Sequence, residues 1–401
     1  MSGESNKKPA LVPKLRFPEF RGAEAWKKQT LSFACQMQAG KFVSASEIKE
    51  RNALGLYPCY GGNGLRGYTA TFTHSGKYSL IGRQGALCGN VKIGVGQFHA
   101  TEHAVVVTPK NGIKGDWLFY LLDLLNLNQF ATGQAQPGLS VDVLEKLPIA
   151  IPNQESEQQK IAECLSSVDE LIAAQARKMD ALKTHKKGLM QQLFPREGET
   201  QPRLRFPEFQ DSGEWGEHRL DELGHYENGK AHENDISENG RYIVVNSKFI
   251  STEGAIRKFS NEGFCVADKG DVLMVLSDVP NGRAIAKCYF VESDDLYTVN
   301  QRICRIQPIK INGQFLFYVL DRNSYFLDFD DGIKQTNLRK EDVVGFPLCT
   351  PPQPAEQQRI ADCLTSLDDL ITAQTQKLEI LKTHKKGLMQ QLFPSPEAVE
   401  A

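Results

Sequence analysis

The chain has 401 residues, 24% of them charged and 40% hydrophobic, and no run of eighteen apolar residues. This excludes a helical membrane-spanning protein and a disordered tail, and it allows two or three folded domains. The net charge of −2 argues against a nucleic-acid binder, which normally carries a basic excess, but the total averages unlike parts. Residues 21–150 hold 13 Lys+Arg against 8 Asp+Glu, whereas residues 210–348 hold 16 against 23. The nine cysteines include no C-x-x-C pair and read as reduced thiols. Residues 1–13 lack the apolar core of a signal peptide, so a cytoplasmic location without membrane contact is expected.

In chain order the sequence divides into an N-terminal segment (1–20), a variable domain (21–150), a helix (151–195), a linker (196–209), a second variable domain (210–349), a second helix (350–394) and a tail (395–401). An internal repeat sets these boundaries. Pro13-Lys14-Leu15-Arg16-Phe17-Pro18-Glu19-Phe20 recurs as Pro202-Arg203-Leu204-Arg205-Phe206-Pro207-Glu208-Phe209, and Trp26, Leu31, Gly40 and Lys41 recur as Trp215, Leu220, Gly229 and Lys230. Residues 151–195 match 350–394 at 30 of 45 positions. A duplicated chain whose shared parts stay alike while its inserts diverge points to one scaffold presenting two specificities.

Short β-like runs at 78–81 and 104–108 and a helical stretch at 116–127 predict an α+β domain in the first insert. Runs at 242–245, 271–276, 284–291 and 301–308, with a helical stretch at 313–325, predict the same in the second. Each shared segment follows proline and then places apolar residues at a 4,3 spacing. The seam reads Leu165, Val168, Ile172, Gln175, Met179 and Leu182 in the first helix and Leu364, Leu367, Ile371, Gln374, Leu378 and Leu381 in the second. Lys186 and Lys385 lie on the same stripes. A sustained heptad predicts coiled-coil pairing of the two helices, each of about 35 residues. Antiparallel pairing implies a pseudo-two-fold repeat with one variable domain at each end.

No catalytic and no metal-ligating residue stands out. Phosphate-loop, H-E-x-x-H and G-x-S-x-G patterns are absent, and the eight histidines lack ligand spacing. Gly62-Asn63-Gly64-Leu65-Arg66-Gly67 fits G-x-G-x-x-G, but β-like residues follow it and the next acid is Glu102, so it reads as a turn exposing Asn63 and Arg66. Polar and basic clusters flanked by glycine remain: Asn63, Arg66, Arg83, Gln84, Gln134 and Gln136 in the first domain, and Asn246, Ser247, Lys248, Ser277, Asn281, Arg283, Lys334, Gln335 and Asn337 in the second. Arg and Lys reach guanine O6/N7 and Asn or Gln pairs with adenine N6/N7, so these residue types suit base reading. A coiled-coil assembly protein whose domains bind only proteins is the competing reading.

The chain resembles the specificity subunit of a type I restriction–modification system over essentially its whole length. The carriers are Leu204-Arg205-Phe206-Pro207-Glu208-Phe209 with Trp215, Glu157-Gln158-Gln159-Lys160-Ile161-Ala162 with its copy Glu356-Gln357-Gln358-Arg359-Ile360-Ala361, the Leu-Met-Gln-Gln-Leu-Phe-Pro helix ends, and Tyr60-Gly61-Gly62-Asn63-Gly64 with Ile81-Gly82-Arg83. The resemblance implies two α+β target-recognition domains joined by two long antiparallel coiled-coil helices. Each domain would read half of a split double-stranded DNA sequence for methylation and defence against foreign DNA. It also implies a non-catalytic chain that docks two methyltransferase subunits and motor–nuclease subunits, with S-adenosylmethionine, ATP and magnesium held by those partners. The second domain departs from the pattern in having no copy of Tyr60-Gly61-Gly62-Asn63-Gly64.

Overall fold

The computed structural model describes residues 11–85, 87–133, 137–196, 198–278, 284–330, 336–395 and 398–399. The chain forms two compact units, Met1–Arg177 with Thr375–Ala401 and Lys178–Gln374. Each shared segment is one helix of 39 residues, Glu155–Leu193 and Pro354–Leu392. These are longer than the spacing predicted, because only Pro195 and Pro394 stop them. Each helix begins in one unit and finishes in the other. The helices are therefore parts of both units, and not separate domains as the sequence boundaries had them.

In the first unit, strand Lys27–Thr30 pairs antiparallel with Pro148–Ile151, which brings the two ends of the variable domain together just before the helix. Between them a six-stranded sheet runs in the order Cys35–Ala39, Ala104–Pro109, His74–Gly82, Val91–Ala100, Tyr57–Gly61, Gly64–Thr69. The helix expected over 116–127 spans Gly115–Leu124 and stops where Asn126 takes a left-handed φ of 48°. The second unit repeats the closing ladder with Gly216–Arg219 and Pro347–Thr350. Its strands form two four-stranded sheets: Gly224–Asn228, Ile303–Pro308, Val272–Val275, Cys288–Phe290; and Phe259–Ser260, Tyr242–Val245, Tyr297–Val299, Val266–Ala267. The run at 284–291 shrinks to Cys288–Phe290 because the chain turns at Ala286, φ 55°.

The shared motifs act as one staple, built twice. Glu157, in the first turn of the central helix, is 1% exposed. Its carboxylate accepts two bonds from the Arg16 guanidinium at 2.7 Å each and a third from Trp26 Nε1 at 3.1 Å. In the second unit Glu356, fully buried, accepts from Arg205 at 2.7 Å twice and from Trp215 Nε1 at 3.4 Å. The next residue anchors the variable domain. Gln158 Oε1 accepts from the Lys114 amide at 2.8 Å, and Gln357 Oε1 accepts from the Asn312 amide at 2.8 Å, each just ahead of a domain helix. An aromatic trio closes each core: Trp26, Trp117 and Phe393 in one, and Trp215, Phe315 and Phe194 in the other. Arg16 and Arg205, which lie in segments that the sequence boundaries set apart as terminus and linker, thus supply an anchor to each core.

Within each unit the helical segments run antiparallel. Ile161 and Leu165 share a core with Leu392 and Met389, and Asp169 pairs with Lys385 at 2.7 Å. Lys186 pairs with Asp368 at 2.6 Å in the other unit. Each lysine lies over a tyrosine ring whose hydroxyl donates to the same aspartate, Tyr120 to Asp169 and Tyr318 to Asp368, both at 2.8 Å. Burial pushes both tyrosine hydroxyls up, so they stay protonated donors. Along the seam Leu165, Gln175, Leu364 and Leu378 are buried, and Val168, Ile172, Met179, Leu182, Leu367, Ile371, Gln374 and Leu381 are half-buried. The architecture is therefore two α+β domains on two long antiparallel helices. Among the described residues, no helix is long and apolar enough to cross a membrane.

Removing one partner of a buried ion pair strands the other. Arg16→Ala is therefore expected to lower the urea-unfolding free energy by about 3–5 kcal/mol. Lys160→Ala, which breaks an exposed pair with Glu19 at 3.5 Å, should change it by less than about 1 kcal/mol. Urea titration followed by tryptophan fluorescence measures both.

Candidate nucleic-acid interface

The discounted glycine motif forms a β-hairpin. Tyr57–Gly61 pairs antiparallel with Gly64–Thr69, Gly64 has φ +96°, and Asn63 and Arg66 are exposed at the turn. The Lys92 side chain lies against Gly64. Gly82 makes the next contact possible, because a Cβ there would sit 1.9 Å from the Gly62 carbonyl oxygen. This close approach brings Arg83 and Gln84, both half-buried, beside the hairpin. The Arg83 amide donates to His103 O at 3.0 Å, Arg83 O accepts from the Leu139 amide at 2.9 Å, and Gln84 bridges to Gly138. Four of the six expected residues are thus gathered from separate segments onto one edge. Gln134 and Gln136 lie outside the described residues.

The second domain keeps this backbone frame with different side chains. The Leu276 amide donates to Arg302 O at 2.9 Å, Leu276 O accepts from the Leu338 amide at 2.8 Å, and Ser277 pairs with Asn337. Leu276 therefore stands where Arg83 stands, and Ser277 where Gln84 stands. Parallel pairing of Tyr242–Val245 with Tyr297–Val299 matches that of Tyr57–Gly61 with Val91–Ala100. The Asn300 and Thr101 amides donate to Val245 O and Tyr60 O at 3.0 and 2.9 Å. Asn246 consequently follows the strand where Gly61 does. There the chain enters helix Ser247–Ser251 and makes no hairpin, because Asn246 caps that helix by accepting from the Phe249 amide at 2.9 Å. Lys248 is exposed at this turn and Ser247 half-buried; Ser277 is buried and Asn337 exposed. Asn281, Arg283, Lys334 and Gln335 lie outside the described residues.

A second shared device holds the frame. The Gly40 amide donates to Ala104 O and the Lys41 amide to Ala100 O, at 2.9 and 2.8 Å. The Gly229 and Lys230 amides donate likewise to Ile303 O and Val299 O, both at 2.9 Å. A Cβ at Gly40 would lie 2.1 Å from Ala100 O, and one at Gly229 would lie 2.1 Å from Asn300 O. The repeated Gly-Lys pair therefore clamps the turns at 101–103 and 300–302. The pair is visible in the sequence as part of the repeat, but its role shows only in these backbone bonds.

Some of the charge in the second domain is held in internal ion pairs. Arg305 pairs with Asp271, with Asp268 at 2.6 Å and with Glu227 at 3.5 Å, and Arg241 pairs with Asp295. Burial raises the Asp271 carboxyl despite its arginine partner. Arg257, Lys258 and Arg302 remain exposed along with Lys248. Among the described residues no group of three His, Cys, Asp or Glu could hold a metal ion.

Gly40→Ala and Gly229→Ala are each expected to destabilise their unit by about 1–3 kcal/mol and to speed amide exchange at the clamped turn. Gly22→Ala, whose Cβ would meet nothing within 4 Å, should stay within about 0.5 kcal/mol. Hydrogen exchange with mass spectrometry measures both.

The family model for the type I restriction modification DNA specificity domain matches twice, over residues 23–184 and 212–383. The chain is 50% identical over 146 residues to the Type I restriction enzyme EcoprrI specificity subunit of Escherichia coli, which is 36% of either chain. It is 27% identical over 307 residues to the MjaVIII specificity subunit of Methanocaldococcus jannaschii, covering 72% of each. Its fold is similar to the crystal structure of a type I restriction–modification S subunit from M. genitalium, with a TM-score of 0.66, 16% identity, and 96% of this chain and 100% of that one covered. A structure described for complex assembly and conformational transition of the type I system gives 0.55 at 15% identity, over 92% of this chain and 98% of that one. The buried glutamate with its tryptophan and the Gly-Lys clamp recur in each matched segment, and the chain belongs to the type I restriction–modification DNA specificity family, as a non-catalytic specificity subunit with two recognition domains.

Proposed function

We propose that this chain is the DNA sequence-recognition subunit of a type I restriction–modification complex working in the cytoplasm. The observation that carries this reading is one backbone frame built twice and dressed with different polar side chains. Each domain reads one half of a split duplex target through its clamped loops, and the helices set the separation of the halves. A 39-residue helix is roughly 60 Å long, and successive major-groove faces recur about every 34–36 Å. The shared helices dock two methyltransferase subunits, and motor–nuclease subunits join for cleavage. S-adenosylmethionine, ATP and magnesium act on those partners, since this chain's role is to position DNA.

Exchanging residues 21–150 for the corresponding segment of another family member should change one half of the methylated motif and leave the other half and the spacer unchanged. Methylome sequencing of cells carrying the chain with its partners measures this. An unaltered motif would favour the assembly-protein reading, in which the domains bind only proteins.

The second domain holds 16 Lys+Arg against 23 Asp+Glu, so tight binding requires the partners. The isolated chain should bind duplex DNA weakly and lose most of that affinity between about 50 and 200 mM salt. The assembled complex should hold its target across that range, as read by fluorescence anisotropy.

A further inference from the structure

The turns that the Gly-Lys pair clamps carry polar side chains of their own. In the first domain the turn follows strand Val91–Ala100 and presents Glu102 and His103. In the second it follows Tyr297–Val299 and presents Gln301 and Arg302. The backbone bonds above make these positions equivalent: His103 O and Arg302 O accept from corresponding amides, and Thr101 and Asn300 donate to corresponding carbonyls. The frame is shared, and the side chains on it differ in hydrogen-bonding type.

Resting on the proposed function, we infer that this turn is a base-reading element in each domain, with Glu102 selecting cytosine in one half-site and Gln301 selecting adenine in the other. Glu102 Oε1 lies 3.2 Å from His103 Nε2, while Oε2 is buried and meets no donor among the described residues. The side chain as a whole is 35% exposed, so it remains open to an incoming donor. Phosphates repel a carboxylate, so an acid among Arg66, Arg83 and Lys92 on a DNA-facing edge suits a base edge and not the backbone. Glutamate accepts from cytosine N4. The glutamine amide both donates and accepts, which matches adenine N6/N7. Gln301 Nε2 gives one hydrogen to Glu233 Oε1 at 2.9 Å, leaving its second hydrogen and its carbonyl oxygen for the base. Arg302, exposed beside it, has the fork that guanine O6/N7 accepts.

The test uses the full chain assembled with its methyltransferase subunits, methylating a library of duplexes randomised in both half-sites. Glu102→Gln should shift one position of one half-site from cytosine towards adenine, with about a tenfold loss on the original sequence. Gln301→Ala should relax one position of the other half-site by a similar factor. Thermal unfolding midpoints equal to wild type show that the frame is intact; variants that melt early are replaced by Glu102→Asp and Gln301→Asn and scored in the same way. A motif unchanged in both variants, or a loss equal on all sequences, overturns the inference while the specificity-subunit reading stands. A wild-type complex that methylates without sequence preference overturns both.

Discussion

A carboxylate buried at the start of each long helix is the constraint on which the rest depends. Glu157 and Glu356 are almost wholly removed from water, which is tolerable only because a guanidinium fork and an indole N–H satisfy them. That requirement draws the Leu-Arg-Phe-Pro-Glu-Phe segment, the tryptophan ten residues after its arginine and the helix start to one point. The aromatic trio then packs the end of the other helix onto the same core. A bidentate arginine fixes orientation as well as position, and lysine in its place would not. The staple thereby sets the angle at which each variable domain leaves its helix.

Once the ends of a domain are stapled and its first and last strands paired, the middle is free to diverge. The sheets of the two units differ in number, strand count and order. Even so, the Gly-Lys clamp and the Leu139 and Leu338 amide bonds bring the same loops to the same place in each unit. Divergence is therefore confined to side chains and loop paths around a fixed frame. This is the physical form of one scaffold with two specificities.

The long helices and the repeat were legible from residues alone, because a heptad stripe and near-identical segments are local signals. Asn63 and Arg66 were also legible, since glycines at a turn expose their neighbours. Asn246 was singled out for base reading, but its side-chain oxygen caps a helix, and Ser277 lies buried in a two-stranded ladder. Glu102 and Gln301 escaped notice because nothing within a few residues of either marks it, and their equivalence shows only in backbone hydrogen bonds across the domain.

The sequence by itself determined the two-fold repetition, the helices, the seam and the family, because each is written in short-range spacing or in motifs that copy one another. Tertiary structure alone decided why those motifs are kept and where the variable loops meet. A buried charge must find its partners through space, and the partners of Glu157 lie 131 and 141 positions away along the chain. Close backbone approach at Gly40 and Gly82 is likewise a property of packed strands, and no local pattern encodes which carbonyl a missing Cβ makes room for.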